Sequence, residues 1–252
     1  MVSRILDANS RICAVDLGLR DRVAVVAGAS RGLGRATAEA LIGEGAKVVA
    51  LSRSAEELSR LEESYPGQVV GVSADLLDLE TPERAVKMAL EKFGRLDILI
   101  VNTPGPPRAE PLAVNDDDFQ QAFATAFYPA VRLIRAGLGP LRENRWGRII
   151  IISSTSVKAP KSFLTLSATA RSALWAWAKS AAPELNQDGI TINAVFAGPH
   201  RTARMAELGR SEQNGGNPED FGALVATLCG TSTAFVTGSG YVLDGGEMRG
   251  LL

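Results

Sequence analysis

The sequence predicts a single α/β domain built on a doubly wound, seven-stranded parallel sheet with helices on both faces. Short apolar runs rich in β-branched residues recur along the chain, and most are hydrophobic throughout, which is typical of strands covered on both faces. These runs lie at 23–27, 47–51, 69–73, 97–101, 148–153, 190–195 and 240–244. Between them come stretches with helical periodicity, at about 32–44, 54–63, 81–93, 116–139, 162–187 and 218–229. Strands and helices that alternate to the end of the chain, with no linker or internal repeat, indicate parallel βαβ units in one sheet.

Three places carry the residues that usually begin a helix. Pro82 follows Thr81, and Pro218 follows Asn217, so a capping residue precedes a proline at both. A run of three aspartates at 116–118 is typical of a helix N-terminus, where acidic side chains interact favourably with the helix dipole. These signals support the helices assigned from the periodicity.

The chain divides into a short arm and one domain. Residues 1–20 precede the first strand and carry scattered charges without the apolar core of a secretory signal, so we interpret them as an N-terminal arm. Residues 21–252 form the domain, and a polar segment at about 198–217 is the expected substrate loop.

Composition excludes several classes of protein. The 252 residues are 46% hydrophobic and 22% charged, which is enough to bury a sizeable core. The net charge of −1 gives no basic footprint for nucleic acid, and no run of 18 apolar residues is present to span a membrane. The only cysteines, Cys13 and Cys229, are too few for a disulfide framework, so we expect a cytoplasmic protein. We expect no metal site.

A glycine-rich loop follows the first strand and precedes the first helix, in the stretch AGASRGLGRA. Glycines at this spacing permit a tight turn and a close backbone approach, and the helix that follows points its N-terminus at a pyrophosphate. The motif alone is weak, but the strand and helix around it supply the context of a Rossmann fold. A purely structural turn is the alternative. The candidate cofactor residues in the loop are Gly28, Ser30, Arg31, Gly32, Leu33 and Gly34.

The end of the second strand favours NADP(H) over NAD(H). An acidic residue there would bind the adenosine 2′-hydroxyl, whereas an arginine accommodates a 2′-phosphate. The sequence LSRS places Ser52 and Arg53 at this point with no carboxylate, and Arg31 of the glycine loop is expected to reach the same phosphate. The alternative is that both arginines are solvated loop residues.

From about residue 17 onward the chain resembles the short-chain dehydrogenase/reductase family, and within it the 3-oxoacyl-acyl-carrier-protein reductase-like members. Besides the glycine loop, the motifs are SADL, VNTPG, IISS, AG at 197–198 with a threonine beyond it, and LDGG. The resemblance implies that Asp75 holds the adenine beside Leu76, that Asn102 buttresses the turn after the fourth strand, and that Thr202 binds the nicotinamide carboxamide. It implies that Ser154 orients the substrate oxygen. It also implies a homodimer or homotetramer that acts on a small molecule.

The chain departs from this family at three of the four catalytic positions. Ala126 stands where the family has asparagine, Ser167 where it has tyrosine, and Arg171 where it has lysine; only Ser154 matches. The chain therefore looks like an atypical branch with a Ser-x-x-x-Arg pair. Ser167 and Arg171 are the candidate catalytic residues there, and Arg171 is also expected to donate hydrogen bonds to the nicotinamide ribose. The alternative for Ser167 is an N-terminal cap of its helix.

These departures weaken the expected proton donor. A serine hydroxyl is a far weaker acid than a phenol, and a guanidinium holds its proton at neutral pH. A general acid contributes roughly 10²–10⁴ in rate, so ordinary ketone reduction should be slow. The only histidine, His200, is a candidate substitute, because a histidine side chain is the usual proton donor near neutral pH. The alternative is a surface loop histidine.

Three functions follow from this pattern. The first is an NADP(H)-dependent oxidoreductase with altered chemistry, acting on a carbonyl, enone or imine. The second is redox-neutral catalysis by a cyclase, lyase or isomerase, in which Ser154, Ser167 and Arg171 bind a developing oxyanion. The third is a catalytically silent partner subunit. The fold alone does not choose among them.

Overall fold

A computed structural model describes residues 15–207, 209 and 215–249 of the chain. The strands are β1 (Val23–Ala27), β2 (Lys47–Ser52), β3 (Val69–Ser73), β4 (Ile98–Val101), β5 (Gly147–Ser154), β6 (Ile190–Ala197) and β7 (Gly240–Leu243). The helices are α1 (Gly32–Gly43), α2 (Ala55–Ser64), α3 (Thr81–Phe93), α4 (Asp116–Ala126), α5 (Tyr128–Glu143), α6 (Thr165–Gln187), α7 (Ala203–Glu207) and α8 (Pro218–Cys229). Short 3₁₀ turns lie at Thr155–Val157 and Thr231–Thr233.

All seven strands form one parallel sheet in the order β3-β2-β1-β4-β5-β6-β7. Successive side chains of a strand point to opposite faces, and the strands are apolar on both. Val25 packs in a core with α3, α5 and α6, whereas its neighbour Val26 packs in a second core with α1, α2 and α8. The predicted fold class, a doubly wound sheet with helices on both faces, is therefore confirmed.

The helix expected at 116–139 is two helices. α4 ends at Ala126, and α5 begins at Tyr128 with Pro129 in its first turn. A proline lacks the backbone N–H that would continue the ladder of a preceding helix, so the chain starts a new helix there. Asn115 caps α4 and forms a capping box with Asp118, as the aspartate run indicated.

Part of the predicted N-terminal arm packs in the domain. Leu17 and Leu19 are buried, and the Thr231 amide donates to the Leu17 carbonyl at 2.9 Å. These two residues of the expected arm therefore pack against the domain. Residues 1–14 of the arm, and residues 208 and 210–214 of the expected substrate loop, lie outside the described part of the chain.

In the described residues, no helix is both long and apolar enough to cross a membrane. The same part of the chain contains no group of three or more His, Cys, Asp or Glu side chains placed to hold a metal ion.

Candidate active site

The strand order reverses between β1 and β4, which makes the carboxyl ends of these strands the topological switch point of the sheet. Ligands of open α/β sheets bind in the crevice at this point. The glycine loop leaves β1 there, and Asn102 follows β4 directly.

The glycines of the loop are required by its geometry. Gly28 has a φ of +68° and Gly32 a φ of +59°, both in the left-handed region that favours glycine. A Cβ on Gly34 would lie 2.2 Å from the Gly28 carbonyl oxygen, and a Cβ on Gly28 would lie 2.5 Å from Nδ2 of Asn102. The loop therefore folds tightly against the start of α1 and against the turn after β4.

The N-terminus of α1 is open to an anion. Its N-cap residue, Arg31, makes no side-chain capping bond, and the first turn contains no acidic residue. By contrast, Ser54 caps α2 and Asn115 caps α4, and both of those helices have acidic first turns. The free N–H groups and the positive end of the α1 dipole therefore fit a pyrophosphate.

Of the residues expected to bind the adenosine end, Arg53 and Asp75 lie together. Arg53 is exposed, and its Nη1 lies 3.9 Å from Oδ2 of Asp75. Oδ1 of Asp75 accepts from the Leu77 amide at 3.0 Å, and Leu76 beside it is buried. The Ser52 hydroxyl accepts from the Ser54 amide at 3.0 Å, which fixes the turn at the end of β2.

Ser154 lies at the end of β5. Its Oγ accepts hydrogen bonds from the Ser156 amide at 3.2 Å and from the Ser156 hydroxyl at 3.0 Å. Because both bonds use lone pairs of the oxygen, the Ser154 hydroxyl hydrogen stays available to donate.

Ser167 is not the cap of its helix. Leu164 is the N-cap residue of α6, and Ser167 is the third helical residue and buried. The capping interpretation is wrong because the helix begins two residues before Ser167. Its Oγ instead accepts from Nε of Arg171 at 3.3 Å.

Arg171 is a buried cation with neutral partners. Besides Ser167, it donates to the Ile152 carbonyl at 3.2 Å and to the Thr103 carbonyl at 3.1 Å. Burial, together with the smaller effect of the nearby charge of Arg204, lowers the pKa of Arg171 to about 10. The guanidinium is still protonated at neutral pH, and it ties β5, the turn after β4 and α6 together.

Ala126 lies in an apolar cluster with Ala122, Leu166 and Ala170. It is fully buried, and its backbone carbonyl accepts from the Thr103 hydroxyl at 3.3 Å. Neither Ala126 nor these three neighbours has a polar side chain, so the position offers no side-chain support for a proton relay.

His200 is buried, so the interpretation as a surface histidine is wrong. Its Nδ1 lies 3.1 Å from the Gly198 carbonyl oxygen, and its ring packs edge-on against Phe221 of α8 at 5.3 Å. It is 5% exposed. Within the described residues, the hydrogen bond of His200 is to its own loop and its ring contact is with α8. Neither contact is with Ser167 or Arg171, which contact each other.

Two residues of the site were missed from the sequence. Arg204 donates to the Pro106 carbonyl at 3.2 Å and to Oε2 of Glu207 at 3.2 Å, and Glu207 lies 3.6 Å from Arg31 of the glycine loop. Thr202 precedes this helix and lies against Gly32. The signal available in the sequence was the spacing of Arg204 and Glu207, three residues apart in a segment treated only as polar loop.

Comparison with known proteins identifies the family. A family model for the short chain dehydrogenases matches residues 22–213. The chain therefore belongs to the short chain dehydrogenase family.

Individual relatives cover nearly the whole chain. It is 29% identical to the 3-oxoacyl-acyl-carrier-protein reductase of Vibrio harveyi over 91% of this chain and 98% of that one. The structure is similar to that of YwfH, an NADPH dependent reductase involved in bacilysin biosynthesis, with a TM-score of 0.86 and 25% identity over 91% and 99% of the two chains. It is similar to L-sorbose reductase from Gluconobacter frateurii in complex with NADPH and L-sorbose, with a TM-score of 0.86 and 25% identity over 94% and 100%.

Proposed function

We propose that the protein is an NADP(H)-dependent oxidoreductase with a non-standard active site, which acts on a small carbonyl, enone or imine. The observation that carries this proposal is the uncapped, carboxylate-free N-terminus of α1, directly behind a glycine turn and beside an arginine. Family membership supports it, as do the reductases among the relatives, one named as NADPH dependent and one solved with NADPH.

Each part of the cofactor would bind a different group of residues. The pyrophosphate would bind the amides at the start of α1 and the glycine loop, which consists of Gly28, Ser30, Gly32, Leu33 and Gly34.

The other parts of the cofactor would bind side chains around this loop. Arg31 and Arg53 would bind the 2′-phosphate, since guanidinium groups pair with phosphate oxygens. Asp75 and Leu76 would hold the adenine. Asn102, Thr202 and Arg171 would serve the nicotinamide end, where a bound nicotinamide supplies or accepts the hydride.

Ser154, Ser167 and Arg171 would act on the substrate oxygen. The hydroxyls of Ser154 and Ser167 each accept hydrogen bonds within the protein, so each keeps a hydrogen to donate. Arg171 strengthens the donation from Ser167, because its Nε stabilises negative charge on the serine oxygen.

The missing phenol limits the substrates. The oxygen of a ketone must gain a proton as the hydride arrives. Without a strong acid, the rate of ketone reduction should be lower by a factor of roughly 10²–10⁴. A protonated imine already carries its proton. Hydride addition to the β-carbon of an enone leaves an enolate, whose charge Ser154, Ser167 and Arg171 would stabilise until its α-carbon takes a proton from water. We therefore propose that imines or enones are reduced faster than simple ketones.

One observation favours a second candidate. Ala126 itself offers no polar side chain to a proton relay, while Ser167 and Arg171 contact each other and would bind an oxyanion together with Ser154. A redox-neutral cyclase, lyase or isomerase would use that set without consuming NADPH. A catalytically silent partner subunit would show neither turnover nor consumption.

The test is binding followed by turnover. The purified protein is titrated with NADPH and with NADH by calorimetry, in the wild type, in Arg53→Ala and in Arg60→Ala, a control with an exposed arginine on α2. The expected result is micromolar NADPH affinity that falls about tenfold in Arg53→Ala only. A substrate panel then measures NADPH oxidation. Binding of neither dinucleotide would overturn the proposal, and turnover without NADPH consumption would favour the redox-neutral candidate.

The assembly and location are proposals by analogy with the family. We propose a homodimer or homotetramer in the cytoplasm with a small-molecule substrate. The exposed Tyr128 of α5 and the exposed Phe235 before β7 are apolar groups that a subunit contact would cover. Sedimentation equilibrium tests the assembly, and a monomer at micromolar concentration would contradict it.

A further inference from the structure

Glu207, in the expected substrate loop, lies beside an arginine of the glycine loop. Its Oε1 is 3.6 Å from Nη2 of Arg31, and its Oε2 accepts from Nη1 of Arg204 at 3.2 Å. One carboxylate is thus shared between a guanidinium of the glycine loop and a guanidinium of α7.

The position of Glu207 is supported on both sides. Thr202, just before α7, lies against the glycine loop, where a Cβ on Gly32 would be 3.3 Å from the Thr202 methyl group. Arg204 also donates to the Pro106 carbonyl at 3.2 Å, which anchors α7 to the turn after β4. These contacts hold α7 beside the glycine loop, and they therefore keep the Glu207 carboxylate near Arg31.

We propose that Glu207 competes with the cofactor 2′-phosphate for Arg31 and thereby lowers the affinity for NADP(H) relative to NAD(H). A 2′-phosphate on Arg31 replaces the carboxylate and repels it, because like charges a few ångströms apart are unfavourable. A dinucleotide without the 2′-phosphate leaves the ion pair intact. Since Arg31 matters only if it binds this phosphate, the competition rests on the proposed function.

The expected effect is small and measurable. Arg31 and Glu207 have side chains that are 70% and 46% exposed, and exposed ion pairs change an equilibrium by about two- to fivefold. Removing the carboxylate should strengthen binding of the phosphorylated ligand by that factor. The gain should shrink at high salt, because exposed charges are screened.

The experiment uses 2′,5′-ADP as the probe and 5′-AMP as its control, because neither carries nicotinamide and only the first carries the 2′-phosphate. In Glu207→Gln we expect about two- to fivefold tighter binding of 2′,5′-ADP and unchanged binding of 5′-AMP. The matched control is Glu184→Gln, which removes an exposed carboxylate paired with Arg142 at 2.9 Å. It should change neither affinity.

Arg204→Gln gives an effect of opposite sign. The glutamine amide keeps an N–H that can donate to the Pro106 carbonyl and so hold α7 in place, but it removes the charge that shares the Glu207 carboxylate. Glu207 then pairs with Arg31 alone, so 2′,5′-ADP should bind about twofold more weakly. In the double variant with Glu207→Gln, the loss of Arg204 should add nothing. Equal weakening in both backgrounds would show a general loss of positive charge and would count against competition through Glu207.

The outcomes separate the two proposals. Binding of 2′,5′-ADP that is equal in the wild type and Glu207→Gln would overturn the competition while leaving the cofactor assignment intact. Failure of 2′,5′-ADP to bind any variant would overturn both.

Discussion

At the scale of single residues, Arg171 holds the candidate site together through neutral partners. It is a buried cation bonded to two backbone carbonyls and one hydroxyl. Buried charges are usually paired, and removing a partner leaves an unsatisfied donor in a place that water reaches poorly. Ser167 is the only one of these partners that mutation can remove.

Ser167→Ala should therefore destabilise the protein. The Nε–H of Arg171 loses its acceptor, so the free energy of unfolding should fall by about 1–2 kcal/mol. Urea denaturation measures this loss. The control is Ser180→Ala on the same helix, where the residue is exposed and its hydroxyl donates to the Trp177 carbonyl one turn earlier. A Ser167→Ala variant as stable as Ser180→Ala would mean that the bond contributes nothing.

Cys229 should be inert in the folded protein. Burial raises the pKa of the Cys229 thiol to about 12, so almost no thiolate, the reactive form, exists at pH 8. The raised pKa also means that this residue stabilises the fold below the unfolded pKa, near 8.5, and that the contribution is lost as the pH rises toward 12. In a Cys13→Ser background, iodoacetamide at pH 8 should label the protein only in denaturant. Rapid labelling without denaturant would contradict the burial.

At the scale of elements, the two ends of α1 differ in their need for glycine. Its first turn needs glycine because Gly34 lies against the turn after β1, whereas Gly43 at its C-terminal end is exposed and has no such need. A Cβ on Gly34 meets backbone atoms, whereas a Cβ on Gly43 meets nothing within 4 Å.

Gly34→Ala and Gly43→Ala should have opposite effects on stability. Gly34→Ala forces a methyl group against the Gly28 carbonyl and should cost about 3 kcal/mol. Gly43→Ala should stabilise the protein by about 0.5 kcal/mol, because alanine restricts the unfolded chain and favours helix. Thermal and urea unfolding of both variants measure the difference. Equal stabilities would mean that the loop relaxes away from α1.

The break between α4 and α5 shows the limit of periodicity at this scale. The apolar pattern of 116–139 continues in helical phase across the break, so the sequence alone suggested one helix. Pro129 was a visible signal, and the change of direction at Phe127 follows from it. The break also makes Ala126 the last residue of α4, in the cluster that covers Leu166 and Ala170 of α6.

At the scale of the whole molecule, the N-terminal segment joins the domain through Leu17 and Leu19. Both are buried in the core that includes α1, α2 and α8, although no strand or helix contains them. The segment links the start of β1 to the residues just after α8, where the Thr231 amide donates to the Leu17 carbonyl.

Leu19→Ala should destabilise the protein by about 2–5 kcal/mol, since the residue is fully buried and its loss leaves a cavity. Val15→Ala, four residues earlier and 76% exposed, should change stability by less than about 0.5 kcal/mol. Chemical denaturation of the two variants is the measurement. A Leu19→Ala variant as stable as Val15→Ala would contradict the burial of Leu19 in the core.

The sequence by itself determined the parallel sheet, the glycine loop and the absence of the usual tyrosine, lysine and asparagine, because strand hydrophobicity, glycine spacing and residue identity are local properties. It also placed Ser154, Ser167 and Arg171 by their spacing. Only the tertiary structure decided the partners of these groups. These partners are far apart in the chain. Arg171 bonds the carbonyls of Ile152 and Thr103. His200 is buried against Phe221, and Glu207 pairs with Arg31. Such contacts depend on how strands and loops converge at one edge of the sheet, which no local pattern encodes.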